Sequence, residues 1–216
     1  MNAEERRWPV RRFSQAISEG DGISVIPLVR GDLDALAEAA EAAGAEALAV
    51  GSVEEVAALR HTTVLPVLLR QAARDVDSLE AARAAGADAC VLVFEDLAHE
   101  EGLLEELVRA AADLGLDCAL DVRDEEELGQ ALERLDPDIL VLSERDREDG
   151  ERELERTLDL LRDVPVGKLV VSESGVTTRE QVLELERAGV DAVMLQGELG
   201  VGFGARLSEL TGRPGD

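Results

Sequence analysis

Short apolar runs alternate with longer amphipathic segments along this chain, and three of the junctions between them repeat. AAGAEALAV at 42–50, AAGADACVLV at 84–93 and RAGVDAVML at 187–195 each read as a helix end, a Gly, one acidic residue and an apolar run. Gly takes positive φ readily, which suits it to a helix C-terminus. A continuous apolar run of this length suits a strand buried on both faces, as in a parallel sheet covered by helices. Helix, Gly and buried strand in repetition predict a β/α array.

Read for period, the chain divides into eight strand–helix units. The predicted strands are Ile23–Val29, Ala47–Val50, Val64–Leu69, Ala89–Phe94, Cys118–Val122, Ile139–Leu142, Leu169–Ser172 and Ala192–Leu195. Helices follow over Asp32–Ala43, from Ser52 to about Arg60, through Ala85, over Gly102–Leu114, from Asp124 to Leu135, from about Glu151 to Arg162, from Thr177 or Thr178 to Ala188, and near Leu199–Leu210. Asp32, Ser52 and Asp124 stand where N-caps belong. Eight such units predict a single closed (β/α)8 TIM barrel with short loops, spanning 1–216, with 1–12 and 211–216 loosely ordered. A doubly wound open sheet is the alternative, disfavoured by the even repeats and the lack of a Gly-rich nucleotide loop. Pro27 conflicts with closure, because a barrel has no edge to hide its missing N–H, so a bulge or an early strand end is expected there. Pro66, near the start of its strand, is less disruptive.

Composition narrows the possible partners. The formal charge is −26, which argues against nucleic acid and anionic membranes, since both demand clustered Lys and Arg. It reads as a solubilising surface or as an adaptation to high salt. No apolar run approaches the ~20 residues of a membrane span, and Met1–Arg12 is charged with no hydrophobic segment behind it, so a cytoplasmic protein is expected. Cys90 and Cys118 lie in apolar runs and read as buried free thiols. His61 and His99 are isolated in polar connections. No metal or cofactor is expected.

Active sites of such barrels lie at the C-terminal ends of the strands. That face receives Arg30, Gly51, Ser52, Arg70, Glu95, Asp121, Arg123, Ser143, Glu144, Arg145, Glu173, Ser174, Gly175, Gly197 and Glu198. VSESGV at 171–176 is the most informative stretch: a carboxylate, a hydroxyl and a Gly at a strand end bring backbone N–H groups to a place where they can hold phosphate. Gly197, after the eighth strand, supplies the other half. The competing reading is that both glycines are only tight turns.

With LPVLLR at 65–70, EAARAAGAD at 80–88, LGLDCALDVRDEEEL at 114–128 and SESGV at 172–176, the chain resembles indole-3-glycerol-phosphate synthase, a (β/α)8 enzyme of tryptophan biosynthesis, from Phe13 to about Leu210. The resemblance implies ring closure of a carboxyphenylamino deoxyribulose phosphate with loss of carbon dioxide and water. That reaction requires a general acid, a general base and a cation near the substrate carboxylate. The family places its main acid, a Lys, at the end of strand 3 in a Lys-Asp-Phe motif, where this chain has Arg70, Gln71 and Ala72. Its strand 1 Glu and Lys correspond to Leu28 and Arg30, its strand 5 Glu to Asp121, and its strand 6 Asn to Ser143. Glu173, Ser174, Gly175 and Gly197 match unchanged.

The resemblance is thus to a divergent member in which the catalytic lysines are missing. Its only Lys, Lys168, precedes strand 7 at the face away from the chemistry. Arg binds anions bidentately but holds its proton far above neutral pH and so is a poor proton donor there. The long loops after strands 1 and 2 and most of the N-terminal helical extension are also absent, and aromatic residues amount to 2% with no Tyr. Three readings stand: a barrel that binds a phosphorylated small molecule or anion without the family reaction, an enzyme with a reorganised acid/base pair, and a true synthase. The residues assigned are Asp121, Glu173 and Arg70 for catalysis, Arg30, Ser174, Gly175 and Gly197 for phosphate, and Ser143 and Arg145 for substrate. Alternatively, the two carboxylates simply pair with an Arg such as Arg70 or Arg123.

Overall fold

A computed structural model describes residues 12–20, 22–143, 150–195 and 202–212, with backbone alone for 150–153. In chain order the elements are α1 (Phe13–Ser18), β1 (Ser24–Pro27), α2 (Leu33–Ala42), β2 (Leu48–Val50), α3 (Val53–Leu59), β3 (Val67–Ala72), α4 (Val76–Ala85), β4 (Ala89–Val93), α5 (Phe94–Leu97), α6 (Leu103–Leu114), β5 (Asp117–Val122), α7 (Glu125–Arg134), β6 (Ile139–Leu142), α8 (Gly150–Leu161), β7 (Leu169–Ser172), α9 (Arg179–Ala188), β8 (Ala192–Leu195) and α10 (Phe203–Thr211). The eight strands pair in parallel in the order β1-β8-β7-β6-β5-β4-β3-β2. This is a (β/α)8 TIM barrel, closed except for a thin seam between β1 and β2.

Pro27 explains the seam. Even-numbered N–H groups of β1 face β8: Ser24 donates to the Asp191 carbonyl and Leu28 to that of Leu195. Odd-numbered ones face β2, where Val29 donates to the Ala49 carbonyl and Val25 to the Glu46 carboxylate. Pro27 falls between those two donors with no N–H to give, so β1 and β2 meet only at the single bridge Leu28↔Ala49. The strand ends at Pro27, two residues short of the Val29 expected from the apolar run.

The acidic residue of each repeat serves the sheet. Glu46, Asp88 and Asp191 stand at the starts of β2, β4 and β8, and each accepts the N–H of a residue near the start of the preceding strand: Val25 at 3.2 Å, Val67 at 2.9 Å and Val170 at 2.7 Å. Those donors lie at the ragged lower rim, where the ladder offers them no carbonyl. Asp88 also forms a fully buried ion pair with Arg60 at 2.9 Å.

Alternation sorts the core into two layers. Ile26, Leu28, Ala47, Ala49, Leu68, Ala89, Val91, Val93, Ala119, Ile139, Val141, Val171, Ala192 and Met194 fill the barrel, and intervening residues such as Val25, Leu48, Cys90 and Leu140 pack against the helices. Phe13 and Ile17 of α1 join the inner layer. Ser14 N–H donates to Asp117 and Ser24 Oγ to the Ile17 carbonyl, so α1 stops the lower end of the barrel. The sequence pattern did not announce this short helix.

Four other expectations shift. Strand 3 runs over Val67–Ala72 rather than Val64–Leu69; Val64 is 73% exposed ahead of Pro66, and pairing starts only where Asp88 receives the Val67 N–H. Strand 4 stops at Val93, and Phe94 opens the one-turn α5. Cys90 is buried but Cys118 only half-buried. Thr211 belongs to α10 and anchors it by donating to the Ala43 carbonyl, so the loosely ordered tail does not begin there. Residues 1–11 and 213–216, and the expected helix start at Leu199, lie outside the described residues. The caps fall as expected: Asp32, Ser52, Asp124 and, of the two threonines, Thr178 accept from their N3 amides.

Candidate functional site

The inward parity of the barrel, carried one step past its apolar layer, produces the polar centre. Asp121 follows Ala119 on β5, Ser143 follows Val141 on β6 and Glu173 follows Val171 on β7, all at positions that point into the barrel. Arg70 follows Leu68 on β3, where the register with β4 jumps from Leu69↔Cys90 to Ala72↔Val91. The extra residues form a bulge, a device that re-aims a side chain beside a site. From it Arg70 spans the mouth, its Nε reaching Glu173 Oε2 at 2.8 Å and its Nη2 reaching Glu173 Oε2 at 2.6 Å and Asp121 Oδ2 at 2.7 Å. Ser143 Oγ donates a short hydrogen bond to the other oxygen of Asp121. The structure therefore joins four of the residues singled out in the sequence, Arg70, Asp121, Ser143 and Glu173, into one cluster.

The side chains of Asp121 and Glu173 are 0% and 3% exposed, and that of Arg70 is 21% exposed. One guanidinium serves both carboxylates. Burial works against the Arg70 charge, but the hydrogen bond and charge of Glu173, with the charge of Asp121, outweigh it and raise its pKa. Burial also pushes the Asp121 pKa upward; Arg70 and Ser143 pull it back and Glu173 adds to the rise, leaving it above the ordinary value. The cluster gathers one guanidinium and two carboxyl groups, and burial makes Asp121 easier to protonate than an ordinary Asp.

Around this centre the rim is self-paired. Arg123, just past β5, forms an ion pair with Glu95 at the end of β4, and its N–H donates to Glu127 of α7 at 2.9 Å. Arg74 pairs with Asp96 at 3.1 Å. Glu127 is a buried charged residue that sequence reasoning overlooked, although its place three residues after the Asp124 cap marked it as able to reach back into the strand–helix loop.

The phosphate candidates are arranged less uniformly. Arg30 is exposed, makes no ion pair among the described residues, and places its Nε 4.0 Å from where a Cβ on Gly51 would stand. Ser174 is buried, with its hydroxyl 2.7 Å from that of Ser172, and Gly175 lies exposed beside it. Just ahead of α9 the Thr177 and Thr178 N–H groups donate to Gln181 Oε1, and Gln181 N–H donates back to Thr178. Gly197 and Arg145 lie outside the described residues. Leu28, at the family's Glu position, is buried in the inner layer. Lys168 pairs with Asp136 at 2.5 Å on the opposite face of the barrel. Among the described residues no group of three or more His, Cys, Asp or Glu is placed to hold a metal, and no helix is long and apolar enough to cross a membrane.

Fold and centre together define a TIM barrel with buried charged groups gathered at the C-terminal ends of β3, β5, β6 and β7. A sequence profile of indole-3-glycerol phosphate synthase matches residues 29–200, and the chain belongs to that family of tryptophan biosynthesis. The indole-3-glycerol phosphate synthase of Geobacillus thermodenitrificans is 33% identical over 181 residues, covering 79% of this chain and 69% of that protein. The one from Campylobacter fetus is 27% identical over 214 residues, covering 90% and 82%. Among solved structures, N-acetylmannosamine-6-phosphate 2-epimerase from Clostridium perfringens superposes with a TM-score of 0.69 at 16% identity, covering 86% of this chain and 89% of that one. A mutant tryptophan synthase alpha-subunit from Pyrococcus furiosus gives 0.69 at 18% identity, covering 88% and 98%. At those identities the two structures share the fold alone.

Proposed function

We propose that this barrel binds a phosphorylated small molecule or a related small anion at its strand-end face and does not carry out the ring-closing decarboxylation of its family. The observation behind this reading is Arg70. It stands where the family resemblance expects the general-acid Lys, and it is engaged by Asp121 and Glu173. A guanidinium with a raised pKa holds its proton through any step near neutral pH. Leu28 offers no carboxylate at the strand 1 position. General acid–base groups contribute about 10²–10⁴-fold each, so losing two leaves little turnover. Arg30, just past β1, with Ser174, Gly175 and Gly197, supplies the anion contacts, and backbone amides there need no particular side chain.

Two experiments test this together. The gene alone should not rescue a tryptophan auxotroph, and rescue would refute the loss of the reaction. Calorimetric titration with inorganic phosphate and a pentose phosphate at moderate salt should give saturable heat that Gly175→Asp abolishes. No heat in the parent, or equal heat in both proteins, would reduce the glycines to turns. A second reading draws on the upward shift of Asp121, which suits a general acid with Glu173 as its base partner. Turnover that disappears in Asp121→Asn, with phosphate binding intact, would favour it.

A further inference from the structure

The cluster at the barrel mouth has two idle edges. Both oxygens of Asp121 are engaged, one by Ser143 and the other by Arg70. Glu173 takes its Arg70 contacts on Oε2, and Arg70 makes all of its contacts through Nε and Nη2. Glu173 Oε1 and Arg70 Nη1 therefore have no hydrogen-bond partner among the described residues, although the Glu173 side chain is only 3% exposed. A buried carboxylate with an idle oxygen calls for a donor, and the idle guanidinium nitrogen calls for an acceptor.

The surroundings restrict what can meet these groups. The chain has three Phe, no Tyr and a single Trp, at position 8. Phe13 plugs the lower end of the barrel, while Phe94 and Phe203 pack in the helix-facing layer, so no Phe ring is turned to the mouth. A carboxylate entering here would face two buried carboxylates that already share one guanidinium.

Given the phosphate site proposed above, we infer that the ligand is an aliphatic polyol monophosphate, a sugar phosphate with neither an aryl ring nor a carboxylate, whose hydroxyls donate to Glu173 Oε1 and accept from Arg70 Nη1. A hydroxyl both donates and accepts, so a polyol serves both edges without adding charge. Glu173 stands two residues before Gly175, which holds their Cα atoms within about 7 Å, a gap that a short carbon chain spans. The carboxyphenyl half of the family substrate meets no Phe ring to stack on, and the cluster's one cation already serves two carboxylates.

Calorimetric titration of the full chain at moderate salt tests this with ribitol 5-phosphate, 5-phosphoribonate, phenyl phosphate and inorganic phosphate. Ribitol 5-phosphate should bind about 10–100-fold more tightly than inorganic phosphate, the gain expected of a hydrogen bond to a charged group. Phenyl phosphate should gain nothing, and 5-phosphoribonate, which differs from ribitol 5-phosphate by a carboxylate, should bind more weakly than it. Glu173→Ala leaves Arg70 paired with Asp121 and should erase most of the ribitol advantage over phosphate. If that variant does not fold, the ranking of the four probes on the parent decides. Saturable phosphate heat with no gain for ribitol 5-phosphate, an equal gain for phenyl phosphate or 5-phosphoribonate, or an advantage untouched by Glu173→Ala overturns the inference and leaves the phosphate site standing. Silence from all four probes overturns both.

Discussion

Replacing Arg70 with Met removes the only cation from a cluster whose two carboxylates are 0% and 3% exposed. Breaking a fully buried ion pair costs about 3–5 kcal/mol, because the remaining charge stays desolvated and unpaired. Arg70 keeps 21% of its side chain in contact with water, which screens part of the loss, so about 2–4 kcal/mol is expected at pH 8. Acid should relieve the penalty. Asp121 already has a raised pKa in the folded chain, and removing Arg70 takes away the charge that pulls it down. A carboxylate with a raised folded pKa contributes stability that is fully present below its unfolded pKa and is lost as pH rises through the folded one. The gap between parent and variant must therefore widen from pH 5 to pH 8. Urea unfolding followed by far-ultraviolet circular dichroism measures it: with slopes of about 1–3 kcal/mol per molar, the midpoint should fall by roughly 1 M or more at pH 8. A loss below about 1 kcal/mol at pH 8, or an equal loss at both pH values, would mean that the cluster is not held by Arg70 as described.

Asp88→Asn should cost about 3–5 kcal/mol, since it strands the buried Arg60 guanidinium. Asp191→Asn, whose carboxylate accepts the Val170 N–H and makes no ion pair among the described residues, should cost only about 1 kcal/mol; denaturant midpoints rank the two, and equal losses would contradict the role given to the Arg60 pair. Raising NaCl from low to molar concentration should raise the thermal midpoint, because screening relieves repulsion within a charge of −26; a falling midpoint in a salt series would show that the ion pairs dominate instead. Arg70→Lys with Leu28→Glu should not restore complementation of a tryptophan auxotroph, since the short connections after β1 and β2 remain; colonies on medium without tryptophan would prove the loops dispensable.

Much of this protein is written locally. The apolar runs, the Gly at each helix end and the N-cap residues are decided by neighbours within one turn or one strand, so β6, β7 and β8 fall where the pattern places them. Strand ends read from the sequence put Asp121, Ser143 and Glu173 at one end of the barrel; alternation shows that they look inward once the strands are known. Val64 and Leu65 misled because apolar character alone does not say where ladder pairing begins; the carboxylate of Asp88 does, from 21 residues further along the chain.

What the sequence determined by itself is the kind of fold, the list of groups at the strand ends, and the absence of a Lys among them. Which of those groups touch was decided only in three dimensions. Arg70 meets Glu173 across 103 residues because a bulge turns it over the mouth. The seam at Pro27 likewise depends on which neighbour each N–H of β1 faces. Period and propensity act over a few residues, whereas register and bulges are set by pairing between distant ones, and that information exists only once the barrel has formed.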